Sequence, residues 1–588
     1  QMTYCNLETE EVKHFRSRYS FEELEQWFMG VLEEYRKWAE YQIQWRKIRQ
    51  DSIRRTEFPY PYREGQRELA AAVYRTIARK KKLFIQAPTG TGKTISTVFP
   101  AVKAVGEGLG DKIFYLTAKT MARTVAQKAF ALLGRQGLRY KVITLTAKEK
   151  ICLNEETECN PDACPYAKGH FDRVNDAVYD MLTAGTSFGR EEIQAQAEKW
   201  RVCPFELSLD LSLWVDGVIC DYNYVFDPRA RLKRFFADGV KGDYLFLIDE
   251  AHNLVDRGRK MYSATLSKEA ILEIARAVKG HSVKLYRILN RCNKLMLEYK
   301  RECDTWQVLE NIGGLSLQLL NLLGEMENFL EQEHEEKVQK AVLDFSFVIR
   351  HFLNMYDLAD ENYVIYTHYG EEGEFLLTLF CVNPRKNLQE CLNKGRSTIF
   401  FSGTFLPLPY YRSLFSTRED DYAICAASPF PRENLKLLVA RDVSSKYTRR
   451  DQEEYKKIAE YIYQMIRGKK GNYLVFLPSY RMLEDIYQAF QERIREENFP
   501  VDCLLQSSGM SEADREEFLE AFEEEGEHSL AGFCVMGGIF SEGIDLTGKR
   551  LIGAAVVGTG LPQVGSEREI LKEYYDKKEQ MGFDYAYR

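Results

Sequence analysis

Short apolar runs bounded by turn residues recur along the chain at "KLFIQ", "KIFYLTA", "DYLFLIDEAH" and "STIFFSGTF", with helical spacing between them. That alternation predicts a parallel sheet covered by helices. After Pro431 it returns with "NYLVFLPSY" and "GFCVMGGIF", so two α/β blocks are expected. Between them, from about 260 to 390, the chain is long-period and rich in Leu and Glu ("LSLQLLNLLGEMENFLEQEHEEKVQKAV"), which predicts a helical domain. Near the start, "MTYCNLE" is strand-like. Leu24, Trp27, Phe28, Val31 and Leu32 then place helical spacing on the stretch from Phe21 to Arg49. "RRTEFPYPYREGQ", with Pro59 and Pro61, breaks that helix as a linker.

Composition narrows the class. At 588 residues the chain is too long for one core. No apolar run approaches the ~18 residues of a membrane span and no secretory segment opens the chain, so a cytoplasmic protein without a membrane partner is expected. A net charge of −7 means that nucleic acid can be bound only through a local groove. Most of the 13 cysteines are scattered singly, which is not a disulfide framework; Cys220 and Cys534 lie in apolar runs and read as core. Four depart from that scatter. Cys152, Cys159, Cys164 and Cys203 follow the pattern C-x6-C-x4-C-x38-C, and four thiolates suit either tetrahedral zinc or a [4Fe–4S] cluster. The spacing does not choose between them. His170, alone beside them, reads as structural.

The sharpest chemistry is "APTGTGKT", Ala87 to Thr94, a P-loop pattern placed between an apolar strand and a helix. Backbone amides of Gly90, Thr91 and Gly92 would cradle phosphates, Lys93 would reach the β- and γ-phosphates, and Thr94 would ligate Mg2+. "YLFLIDEAH" puts Asp249 and Glu250 at the end of another apolar strand. Asp249 would hold Mg2+ and Glu250 would activate the attacking water, so the pair predicts Mg-ATP hydrolysis. By themselves "SGTF" and "GGIFSEGIDL" read as a strand-end turn and a Gly-rich loop.

In their order and spacing, "YREGQ", "APTGTGKT", "YLTAKT", "DEAH", "SGTF", "SPFPREN", "NYLVFLPS" and "GGIFSEGIDL" resemble superfamily 2 helicases of the XPD/DinG type, from about Phe58 to the end of the chain. The resemblance implies an α/β fold with two RecA-like P-loop motor domains. Domain 1 would comprise 58–145, 205–258 and 395–408, interrupted by an iron–sulfur domain at 146–204 and a helical arch domain at 259–394; a truncated domain 2 would occupy 409–588, with 1–57 an N-terminal appendage and linker. It implies that Gln66 contacts the nucleotide base, that Thr117 to Thr120 contact the DNA backbone, and that His252 with Ser402, Gly403 and Thr404 couples hydrolysis to movement. It also implies that Glu542, Gly543 and Asp545 line the cleft, and that the four clustered cysteines hold [4Fe–4S] in preference to zinc. "MTYCNLETEEVKHF" resembles the closing strands of a nuclease domain found in some relatives.

The expected activity is an ATP-dependent DNA helicase moving 5′→3′ on single-stranded or forked DNA, in repair or replication. A DNA-stimulated ATPase that remodels without unwinding, an RNA-directed motor, or the motor half of a helicase-nuclease are the alternatives. Gln1 in place of a starting Met, and a chain that stops at Arg588 before any Q-x-x-G-R-x-x-R arginines, predict a fragment whose own ATP turnover is weak.

Overall fold

In the computed structural model, described for all residues except 1, 7, 8, 10, 89, 119, 429, 524, 525, 542, 543, 545, 561–563 and 588, two parallel sheets organise the chain. The larger has eight strands in the spatial order Tyr422–Cys425, Lys82–Gln86, Ser397–Ser402, Tyr244–Asp249, Lys112–Thr117, Gly217–Asp221, Val142–Thr144 and Ser187–Phe188. All of its pairings are parallel, so its functional edge is where the strands end together: Ser402 lies beside Gln86, and Phe401 beside Asp249.

The two-residue period of these strands divides the interior. Phe84, Phe114, Phe246, Ile248 and Phe400 face one core; Leu83, Ile85, Ile113, Tyr115, Leu247 and Phe401 face the other. Both faces are buried under helices, which is why the strands read as continuous apolar runs. On the first face the Phe84, Phe400 and Phe415 rings stack in series, at 4.9 and 5.0 Å between centroids. The second sheet has the order Val501–Leu505, Ser529–Val535, Asn472–Leu477 and Gly553–Val556, again parallel.

Three expectations about the parts are amended. The segment from 259 to 394 is not helical alone. Its four long helices are joined by an antiparallel sheet of Trp306–Leu309, Tyr363–Tyr369, Phe375–Cys381 and Ala264–Ser267. "YVIYTHY" and "FLLTLFC" are β-branched and aromatic runs too short for the helical period that dominates around them. The cysteine segment is not set apart, because Ser187–Phe188 forms the edge strand of the large sheet. The helix at the start runs from Phe21 to Arg55, beginning at a capping box in which Ser20 and Glu23 exchange hydrogen bonds. Its second half is docked on the motor: Trp45 and Arg49 donate to Asp216 at 3.0 and 2.7 Å, and Ile53 is buried. Leu24, Trp27, Phe28, Val31 and Leu32, on its first half, are exposed.

Helices Ser566–Glu579 and Gly582–Tyr587 pack on the antiparallel sheet and not on the second parallel one: Tyr575 and Tyr585 stack at 3.9 Å within a cluster that includes Tyr366 and Phe380. Among the described residues no helix is long and apolar enough to cross a membrane.

Candidate functional site

The loop after the Lys82–Gln86 strand carries Gly90 and Gly92 at φ 83° and 75°, the left-handed region that glycine enters without a Cβ clash, and Gly92 caps the helix Lys93–Gly106. Lys93 is buried, with its ammonium donating to Ala87 O at 3.1 Å. Thr91 Oγ1 donates to Pro88 O at 2.8 Å. The loop is braced from "YREGQ": Gln66 Nε2 donates to Thr91 O at 2.8 Å, Arg63 N donates to Gln66 Oε1 at 2.9 Å, and the Arg63 guanidinium donates to Gly90 O at 2.9 Å. In this structure the Gln66 amide is therefore spent on the loop itself. Phe430, from "SPFPREN", lies over the loop's open side, so close that a Cβ added at Gly90 would meet its ring at 2.7 Å.

Strand pairing delivers the carboxylates. Asp249 ends the Tyr244–Asp249 strand and is buried. Its Oδ2 accepts from Tyr115 at 2.6 Å and its Oδ1 from the Glu250 amide at 2.9 Å. Tyr115 also meets the Thr94 hydroxyl, so one buried phenol joins the two residues expected to hold Mg2+. Burial pushes Asp249 up to about 6, against the pull of Tyr115 and Lys93. A buried carboxyl raised for want of counter-charge, with a Thr hydroxyl beside it, fits a divalent cation.

Glu250 turns away at φ 46° and meets the end of the neighbouring strand. Ser402 Oγ donates to Glu250 Oε2 at 3.0 Å and is 2.8 Å from His252 Nδ1, while the Thr404 amide donates to Ser402 Oγ at 3.1 Å. Burial works against the charge of Glu250, yet His252, the ammonium of Lys93 and Ser402 together hold its carboxyl below the usual range. The two adjacent acids are thus pushed apart, Asp249 towards neutrality and Glu250 towards a stable anion.

Lys93, Thr94, Asp249, Glu250, His252, Ser402 and Thr404 are brought together, with Gln66 behind the loop. Thr117 is buried at the end of its strand, Thr120 opens the helix Thr120–Arg135, and Lys119 lies outside the described residues. Glu542, Gly543 and Asp545 also lie outside them. Sequence reasoning missed Tyr115 and Tyr222; the Tyr222 hydroxyl donates to Glu250 O at 3.1 Å and also to Asp249 O, holding the acidic turn from below. A buried hydroxyl must find a partner, whether inside an apolar strand, as at Tyr115, or just past one, as at Tyr222, and that was the available signal.

The four clustered cysteines are all free thiols. Cys164 accepts from Asn154 Nδ2 at 3.2 Å, the Lys148 ammonium is hydrogen-bonded to Cys159, and burial pushes the Cys203 thiol up. The His170 ring is committed structurally, with Nδ1 accepting from the Cys203 amide at 3.2 Å. The donor chemistry suits a thiolate-held metal. Among the described residues no three His, Cys, Asp or Glu side chains converge as a metal-holding group in this structure.

Family profiles match three stretches: DEAD/DEAH box helicase over residues 64–163, DEAD_2 over 123–271, and helicase C-terminal domain over 462–588. A probable ATP-dependent helicase of Methanocaldococcus jannaschii is 21% identical over 88% of this chain and 85% of its own. The ATP-dependent DNA helicase XPD of Sulfolobus acidocaldarius is 21% identical over 72% of this chain and 74% of its own. A solved XPD helicase superposes with a TM-score of 0.57 at 19% identity, covering 90% of each chain, which makes the fold that of two RecA-like motor domains.

Proposed function

This chain belongs to the XPD/DinG type of superfamily 2 helicases, and from that premise we propose that it couples ATP hydrolysis to 5′→3′ movement on single-stranded DNA and opens forked duplexes. The enzyme class is ATP-dependent helicase. The observation that carries the hydrolytic reading is Glu250, kept anionic beside Lys93 and tied through Ser402 to His252. Lys93 binds the γ-phosphate and Glu250 takes the proton of the attacking water. Thr94 and Asp249 are the residues to hold Mg2+, which when bound neutralises charge on the phosphate oxygens. Gln66 is assigned to the nucleotide base by resemblance, and to reach it the side chain would have to leave Thr91 O, which it holds here. His252 and Ser402 to Thr404 pass the state of the site to the DNA path, which Thr117 to Thr120 would line. Glu542, Gly543 and Asp545 are assigned to the cleft by resemblance alone.

In the complete protein, Lys93→Ala should abolish ATP-dependent turnover. Glu250→Gln should still bind ATP and lose about 100-fold or more in turnover, the size of a general base's contribution. Normal turnover in Glu250→Gln removes it from the mechanism. Stimulation of ATPase by single strands without opening of a fork would make the protein a remodelling ATPase, and stronger stimulation by RNA would make it an RNA motor.

We further propose that Cys152, Cys159, Cys164 and Cys203 hold a [4Fe–4S] cluster, that 146–204, 259–394 and 409–588 act as iron–sulfur, arch and second motor domains apart from the edge strands Ser187–Phe188 and Tyr422–Cys425, which join the first motor sheet, and that the protein serves DNA repair or replication in the cytoplasm. The support is four free thiols with amide and ammonium donors beside them. Protein prepared anaerobically should be brown with about four irons per chain, and Cys164→Ser should lose the iron. Stoichiometric zinc without iron would replace the cluster by a zinc site.

A further inference from the structure

The large sheet has a second edge, where its strands begin. There, on the side away from the P-loop, lies a cavity of about 690 Å3, within the size range of ligand pockets. Lys80, Lys81 and Lys82 reach it from the turn after the helix Gln66–Ala78, and Lys241 from the loop before Tyr244–Asp249. Lys394 and Arg396 come from the loop before Ser397–Ser402, and Arg418 from the loop before Tyr422–Cys425. Among the described residues its acids are Asp243 and Asp421, and Leu392 is its one large apolar side chain. Four separate loops of a chain with net charge −7 thus converge to a strongly cationic hollow.

Some of these cations have structural work. Lys81 pairs with Asp420 at 2.6 Å, Lys394 donates to Phe236 O and Ala237 O at 2.8 Å, and Lys82 donates to Phe415 O at 2.8 Å. Others do not. Among the described residues Lys80, Lys241 and Arg418 have no ion-pair partner, and all three are exposed. Arg396 pairs with Asp243 at 3.2 Å, yet its Nε is buried without an acceptor although the side chain is only 13% exposed. A buried donor left open in a polar hollow is a place for an acceptor. Lys82 reports the same field: burial, with Arg418 and Arg385 nearby, pushes it down to about 8 despite Asp421.

We propose that this cavity binds closely spaced phosphate groups, at a site separate from the nucleotide site and on the opposite edge of the motor sheet. Its lining offers donors and cations around a concave space, which matches multiply charged oxyanions. Among the described residues no aromatic ring lines it, so a base has nothing to stack on and the phosphates themselves are what is read. Such groups have two sources, the backbone of a nucleic-acid strand and a free polyphosphate. The proposal does not rest on the assignment of the nucleotide site.

The test is calorimetric titration with inorganic triphosphate of the Lys93→Ala protein, whose nucleotide site has lost its phosphate clamp. One site per chain is expected. Lys241→Ala combined with Arg418→Ala should weaken it at least tenfold, while Lys241→Arg with Arg418→Lys should retain it. Both side chains are exposed, so the unliganded thermal midpoint of either double variant should match the parent. A phosphodiester oligonucleotide that displaces triphosphate, where its uncharged methylphosphonate counterpart does not, identifies the nucleic-acid backbone as the source. Triphosphate that stays bound against both identifies free polyphosphate. Absence of that site, equal binding by the Ala double variant, or displacement by polyglutamate as effective as by triphosphate overturns the proposal.

Discussion

Ser402 carries more of the site than its place in a three-residue turn suggests. Its hydroxyl links Glu250, His252 and Thr404, and it lies 152 residues beyond Glu250 in the chain. Ser402→Ala would leave Lys93 and the P-loop unchanged while removing the hydroxyl bridge between Glu250 and His252, leaving their direct 3.4 Å contact. Nucleotide affinity should therefore hold, whereas turnover should fall about tenfold and its stimulation by single strands should disappear, as the loss of one hydrogen bond to a charged group implies. Stopped-flow nucleotide binding together with steady-state ATPase checks both halves. Tyr115 is the comparable residue on the other acid, and its burial explains why only the folded chain discloses it.

At the scale of elements, the P-loop is a backbone device and its glycines are not interchangeable. An alanine Cβ at Gly92 would be held at φ 75° and would lie 2.5 Å from Gln66 Nε2, the atom that braces the loop. At Gly137, φ is also positive, 96°, but nothing lies within 4 Å. Gly137→Ala should cost only the left-handed conformation, about 1–2 kcal/mol of stability. Gly92→Ala should add displacement of Gln66 and weaken nucleotide binding at least tenfold. Chemical unfolding and nucleotide titration of the two variants separate strain from loss of the site. The strands Lys82–Gln86, Lys112–Thr117, Tyr244–Asp249 and Ser397–Ser402 were legible from apolar runs between turns; that Ser397–Ser402 inserts between Lys82–Gln86 and Tyr244–Asp249 was not, because pairing is chosen by contacts far apart in sequence.

Over the whole molecule, buried lysines fasten helices to the sheet. Lys112 donates to Ser212 O at 2.8 Å, at the end of the helix Pro204–Trp214, and Lys141 donates to Gly185 O at 2.6 Å, just past the helix His170–Ala184. Each ammonium meets the negative end of a helix, but burial pushes both lysines down to about 8. The folded chain then releases these protons near pH 8, while the unfolded chain keeps them to ~10.4. Between these values the unfolded state binds more protons, so stability rises with pH, by about 1.4 kcal/mol per unit for each proton of difference. Above ~10 the sign reverses, since burial raises Tyr115, Tyr140 and Tyr222 and only their unfolded forms ionise. Urea midpoints should climb from pH 8 towards 10 and then fall, and Lys112→Met should flatten the climb.

Sequence alone determined what is local. A Gly-rich loop after an apolar strand makes a phosphate cradle wherever it folds, and Asp249 and Glu250 end a buried strand because the apolar run before them stops there. Only the tertiary structure decided what depends on partners. It brought Ser402 to Glu250, placed Phe430 over Gly90, and gave the helical segment an antiparallel sheet on which Tyr575 and Tyr585 are buried. It also gathered the cations of four loops at the sheet's other edge. Periodicity sets the conformation of a segment and the face it buries, but not which distant segment covers that face, because that choice belongs to the packing of the whole chain.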